Sequence, residues 1–181
     1  MSQSAVDRPS SPPLGAVPVE DGDPPLYEAF KTRAEGTNIN PETLLATDYL
    51  NHFNEIVMLL DMVPDMPDLV EECKAWQPKS YPAHFADSTF RDKDLAMEAY
   101  NHCPARYRRP FDETIDRMND LALASVTRME TALAEGNTEV VRLQAQSASR
   151  ALQRLMDAAS AIIHGAESTL HQEEIDAILG Q

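Results

Sequence analysis

The chain is short of glycine, with six in 181 residues, and short of aromatics, with one Trp, five Tyr and five Phe. That composition disfavours a β-sandwich or barrel, whose many tight turns draw on glycine, and it suits helices. Bases are scarce too: 15 Lys and Arg stand against 30 Asp and Glu, for a net charge of −15. A chain so acidic is repelled by nucleic acid and by anionic membrane surfaces, so neither is expected as a partner, and a partner with a basic face is. There are two cysteines, Cys73 and Cys103, with no C-x-x-C spacing, which reads as two reduced thiols in a cytoplasmic protein. No run of about 18 apolar residues is present, so no membrane-spanning helix is expected. The opening residues lack the apolar stretch of a secretory signal. No glycine-rich phosphate loop occurs.

What the chain has is 43% hydrophobic residues, enough for one folded domain. Its distribution predicts three parts. Residues 1–40 carry Pro9, Pro12, Pro13, Pro18, Pro24 and Pro25 among Ser, Gly and acids, and read as a disordered arm. Leu26, Tyr27 and Phe30 form only a weak local cluster there. Residues 41–165 read as a helical domain. Asn40-Pro41 has the pairing of a helix cap and first-turn proline, and Leu44, Leu45, Tyr49, Leu50, Phe53, Ile56, Val57 and Leu60 follow at helical spacing. A short helix is expected over about 68–76, a proline-marked loop over Gln77–Thr89 with exposed Tyr81 and Phe85, and another helix over about 91–102. Residues 166–181 read as a tether and a short terminal helix.

The clearest pattern lies in 111–135 and 138–164. Phe111, Ile115, Met118, Ala122, Ser125, Met129 and Ala132 recur in steps of four and three, as do Val141, Ala145, Ala148, Leu152, Leu155, Ala159 and Ile162. Gly136-Asn137 separates the two runs, with Gly suited to a left-handed turn and Asn to an N-cap. The pattern predicts an all-α helical bundle built on a long antiparallel hairpin. The outer apolar residues Val140, Leu143, Met156 and Ile163 would suit a homodimer if the earlier helices left them uncovered.

The terminal segment, Leu170 to Gln181, places Ile175, Ile178 and Leu179 at i, i+3, i+4 on one helical face. Glu173, Glu174 and Asp176 line the rest, and Leu170 can cover the start of the apolar face. An isolated helix below roughly 12–15 residues is marginal in water, so such a segment docks either on its own domain or on a partner. Leu170-x-Gln172-x-Glu174-Ile175-Asp176-Ala177-Ile178-Leu179 resembles the peptide with which the flagellar switch protein FliM binds the phosphorylated chemotaxis regulator CheY. A related peptide ends the CheY phosphatase CheZ. The departures are His171 where Ser is usual and Ile178 for Leu. The resemblance implies a CheY-like response regulator as partner, with Leu170, Glu173, Glu174, Ile175, Asp176, Ile178 and Leu179 as contacts.

A long hairpin followed by such a peptide is also CheZ-like in outline. CheZ holds its attacking water with Asp-x-x-x-Gln, which this hairpin lacks; CheC and CheX use Glu-x-x-Asn. An acid and an amide one turn apart share a helical face and can orient water against an aspartyl phosphate. Asp116 and Asn119 have that spacing on the hairpin and are the candidate catalytic pair, while Glu98/Asn101 and Asp48/Asn51 repeat the spacing elsewhere. The chain could therefore promote dephosphorylation, only bind, or serve as a structural or scaffolding bundle without activity. His52/Glu55 and Glu98/His102 share helical faces, but the paired Glu-x-x-His motifs of a di-iron bundle are missing, so no metal or other cofactor is expected. Ser125 and Ser149 have no His at a helix-compatible spacing. Arg106, Arg108 and Arg109 form the basic cluster, and pairing with the chain's own acids is its expected use.

Overall fold

The computed structural model describes residues 23–166. These form an all-α bundle: α1 (Pro24–Ala34), α2 (Asn51–Met62), α3 (Val70–Ala75), α4 (Tyr81–Asp87), α5 (Lys93–Tyr100), α6 (Ala105–Ala134) and α7 (Thr138–Ile163). Single 3-10 turns at Thr47–Leu50 and Pro67–Leu69 lead into α2 and α3. Among the described residues the only β pairing is an isolated bridge between Ile39 and Ala46.

Helices α6 and α7 are the hairpin, and all fourteen residues of the two predicted stripes are buried along its seam. Gly136 sits at φ +70°, where a side chain would strain the backbone. The Gly136 and Asn137 amides donate to the carbonyls of Leu133 and Ala132, at 3.0 and 3.3 Å, so the turn satisfies the last carbonyls of α6. Asn137 then accepts from the Val140 amide at 3.1 Å and caps α7. The same closure recurs at the far end of α7: the Gly165 and Ala166 amides donate to Ile162 and Ala161.

Four expectations are corrected. First, residues 24–34, read as part of a disordered arm, form α1. Pro24-Pro25 opens that helix where no amide is needed, and burial of Phe30 and Ala34 anchors it. Phe30 stacks on His102 at 4.5 Å, and the Tyr27 hydroxyl donates to the Glu42 carbonyl at 2.7 Å. Residues 1–22 lie outside the described residues.

Second, no helix starts at Pro41. Asn40 does the expected capping chemistry, accepting from the Glu42 and Thr43 amides at 2.9 and 3.1 Å, but it closes a turn. Leu44, Leu45 and Ala46 are consecutive and all fully buried, which one face of a helix cannot achieve. Leu44 takes φ +60° to do so, and the Thr43 hydroxyl ties the turn to the Ile163 carbonyl at 2.6 Å.

Third, the expected loop Gln77–Thr89 contains α4. Ser80 caps it by accepting from Ala83, and Pro82 falls in its first turn, where proline is tolerated. Tyr81 and Phe85, at i and i+4, are buried and not exposed.

Fourth, the hairpin begins six residues early and α6 runs through Pro110. Pro110 removes one helical hydrogen bond. Burial of Ala105 and Tyr107 before it and Phe111 after it holds both sides in one helix.

Helix α2 covers one side of α7, with Ser149 donating to Asp61 at 3.1 Å and Arg142 paired with Asp65 at 3.2 Å. Of the four residues assigned to a dimer face, Ile163 is therefore buried and Val140 and Met156 half-buried against the core, which leaves Leu143 exposed. The foreseen stripe is largely used within the chain.

Candidate functional site

The first half of α6 forms one wall of an open cleft of about 320 Å³. Asp112, Asp116 and Asn119, spaced four and three residues apart, present one face of the helix to it. Phe111, Ile115 and Tyr49 line it with apolar surface, and the segment from Pro78 to Tyr81 completes the lining. The Tyr49 hydroxyl fixes that run by donating to the Lys79 carbonyl at 2.6 Å, and the Tyr81 hydroxyl accepts from the Ala46 amide at 2.9 Å. Burial, with Asp112 and Asp116 nearby, pushes the Tyr49 hydroxyl far above its usual range, so it stays a neutral donor.

Both oxygens of Asp112 are occupied. One accepts from Tyr100 at 2.9 Å and the other from Arg108 Nε at 2.8 Å. Arg108 also donates to the Tyr100 carbonyl at 2.8 Å and lies 3.5 Å over the Tyr100 ring, whose other face stacks on Tyr81 at 4.5 Å. Arg108 is thereby used internally, as the chain's excess of acid led one to expect.

Asp116 differs from its neighbour. Among the described residues no cation lies within ion-pairing distance of it, and its carboxyl is raised above the usual range by partial burial and then by Asp112, Asp120 and Glu113. Asn119 Oδ1 is buried and accepts no hydrogen bond among the described residues. The two residues predicted as a pair thus share a cleft wall. The spacing elsewhere leads to nothing comparable: Glu98 pairs with Arg33 at 3.1 Å, and Asn51 accepts from Asn54 at 3.3 Å at the exposed start of α2. The cleft residues missed in the sequence are Tyr49, Tyr100, Arg108 and Asp112. The i, i+4 spacing of Arg108 and Asp112 was a readable signal; Tyr49 and Tyr100 arrive from distant segments with none.

No group of three His, Cys, Asp or Glu suited to a metal ion occurs among the described residues. His52, expected at a polar edge, is buried. It stacks on Trp76 at 4.7 Å and its Nε2 lies 2.7 Å from the Gln77 carbonyl, while Trp76 Nε1 donates to the His52 carbonyl at 3.0 Å. His84 lies alongside, with ring centroids 6.3 Å apart. Burial lowers both imidazoles, and for His84 the neighbouring His52 adds to the effect. The unfolded chain then takes up protons first, near the ordinary histidine value of about 6.5. This contribution is complete above that pH and is lost as pH falls through it towards the lowered folded values. The urea midpoint is expected to drop between pH 7.5 and 5.5, with a smaller drop in His52→Gln; equal drops would remove His52 from this role.

Ser125 Oγ is buried in the seam without a hydrogen-bond partner among the described residues. The terminal contacts Leu170, Glu173, Glu174, Ile175, Asp176, Ile178 and Leu179 lie outside the described residues. No family model matches the chain, and no curated protein or solved structure matches it either. No described helix is long and apolar enough to cross a membrane.

Proposed function

We propose that this chain is a chemotaxis or flagellar regulator that binds a CheY-like response regulator through residues 170–179. The carrying observation is the Glu174-Ile175-Asp176 order combined with the apolar i, i+3, i+4 face of Ile175, Ile178 and Leu179. On docking, that face fills a groove and the acids pair with bases around it. The body supports this reading in that Gly165 closes α7 before the peptide begins. Binding is tested by calorimetric titration of the regulator, with and without its phosphoryl group, by the intact chain and by a chain ending at Thr169. Affinity in the intact chain alone supports the reading; equal affinity, or none in either, overturns it.

Dephosphorylation is the catalytic form of the same proposal. Asp116 would accept a hydrogen bond from the attacking water and Asn119 would orient it, because the two line one cleft. Phosphate release accelerated by the intact chain is then expected to fall about a hundredfold in Asn119→Ala. Unaltered acceleration removes Asn119 from the chemistry. The other reading, a helical scaffold without catalysis, rests on the extensive hairpin seam and predicts no acceleration.

A further inference from the structure

The connection from α3 to α4 is held by side chains. Among the described residues neither Gln77 nor Lys79 makes a backbone–backbone hydrogen bond. The Gln77 carbonyl lies 2.7 Å from His52 Nε2, and the Lys79 carbonyl accepts from the Tyr49 hydroxyl at 2.6 Å. A carbonyl only accepts, so Nε2 carries the proton of the His52 ring. His84 of α4 closes the same joint. Its ring centroid lies 6.3 Å from that of His52 and 5.5 Å from that of Tyr49, and the Asp48 carbonyl is its hydrogen-bond partner. Trp76 shuts the other side, stacked on His52 and donating to its carbonyl.

The charges around the joint come from each element packed on it. Glu55 of α2 acts on His52 and Asp48 on His84, both favouring the charged ring; Lys79 opposes it at both, and a charge on His52 opposes one on His84. Lys79 is itself paired with Asp87 of α4 at 3.1 Å. On α3, Lys74 is drawn to Glu71 and Glu130, and from α6 Asp112 and Asp116 act on Tyr49. Burial is the largest influence on both rings and favours their neutral forms. A second proton entering the joint meets the first, so the rings titrate as a pair.

We infer that His52 and His84 form an acid-sensitive latch. With both rings neutral they hold Gln77–Ser80 against α2, and protonation of the pair frees that segment and α4 while the hairpin of α6 and α7 stays folded. Pro78–Tyr81 lines the cleft on α6, so the latch also sets whether that cleft is formed. It is closed above the ordinary histidine value of about 6.5 and opens as pH falls below it. The inference concerns the helical body and does not rest on the terminal peptide.

The test is hydrogen exchange of the full chain between about pH 7 and 5, corrected for the intrinsic rate. That range lies above the ordinary carboxylate values of about 4. Trp76 is the chain's one Trp and is buried, so its emission reads the joint in parallel. Each proton taken up only by the open form multiplies opening about tenfold per pH unit. Protection of the α4 amides is therefore expected to fall about ten- to a hundredfold over the lowest unit, with a red shift of Trp76 emission. Amides of α6 and α7 along the seam are expected to keep their protection, as sub-global opening requires. His52→Gln keeps an amide donor for Gln77 and takes up no proton, and with His84→Gln added the response of α4 is expected to vanish. The Cε1 protons of the two rings, followed by NMR in the unaltered chain, are expected to titrate together with the loss of α4 protection, a readout that needs no variant. Loss of α4 protection in step with the hairpin, ring titration that leaves α4 protected, or a response that persists in the double variant would overturn the latch.

Discussion

Leu152→Ala is expected to cost about 2–5 kcal/mol of folding stability, a large part of what a domain of this size has in total. Leu152 is fully buried in the seam of α7, and counting back from the turn at Gly136 sets it near the level of Ala122. Small residues line the seam on both sides: Ala122 and Ser125 on α6, Ala145, Ala148 and Ala159 on α7. They allow the backbones to approach, so the few large side chains between them fill most of the volume. Removing one leaves a cavity that rigid helical backbones close only in part. Leu143→Ala is the matched control. The same side chain on the same helix is 55% exposed, and its loss is expected to stay within about 0.5 kcal/mol. Urea unfolding of the two variants reads the difference directly, and similar losses would mean that the seam is not the principal core.

Ending the chain at Thr169 is expected to weaken binding to a CheY-like regulator about a hundredfold or more. Ile175, Ile178 and Leu179 each contribute about 1.5–3 kcal/mol if fully buried in a groove. Ordering a short helix on binding offsets a large share, since isolated helices of this length are marginal in water. A surplus of about 3 kcal/mol still corresponds to more than a hundredfold in affinity. Glu173, Glu174 and Asp176 add a smaller, screened part, so higher salt should weaken the intact chain's binding by a modest factor. The truncation should leave the urea midpoint unchanged, because Gly165 ends α7 and the Thr43 hydroxyl ties the Ile163 carbonyl to the body. A large fall in stability would instead mean that the peptide packs on its own domain.

The hairpin was legible because its signal is local: a 3.6-residue period, a Gly-Asn break, and long uninterrupted runs. Where the structure departs from the sequence reading, tertiary burial overrides a local signal. Pro24-Pro25 looked like disorder, yet α1 exists because Phe30 has His102 to stack on, 72 residues away. Proline near Tyr81 suggested a loop, yet Tyr81 and Phe85 supply a buried face for α4. Asn40 signalled a cap, and its side chain does cap backbone amides, but three buried residues in a row exclude a helix there. The Asp116/Asn119 pair was readable from i, i+3 spacing alone. Its cleft was not, because the facing run at Lys79 and the rings of Tyr49 and Tyr100 come from other segments of the chain.

The proposed docking of residues 170–179 on a CheY-like regulator is tested most directly by hydrogen exchange of the intact chain with and without that regulator. Slowed exchange across residues 170–179 on adding the regulator is the predicted result. Exchange there that is unchanged by a saturating regulator would contradict it.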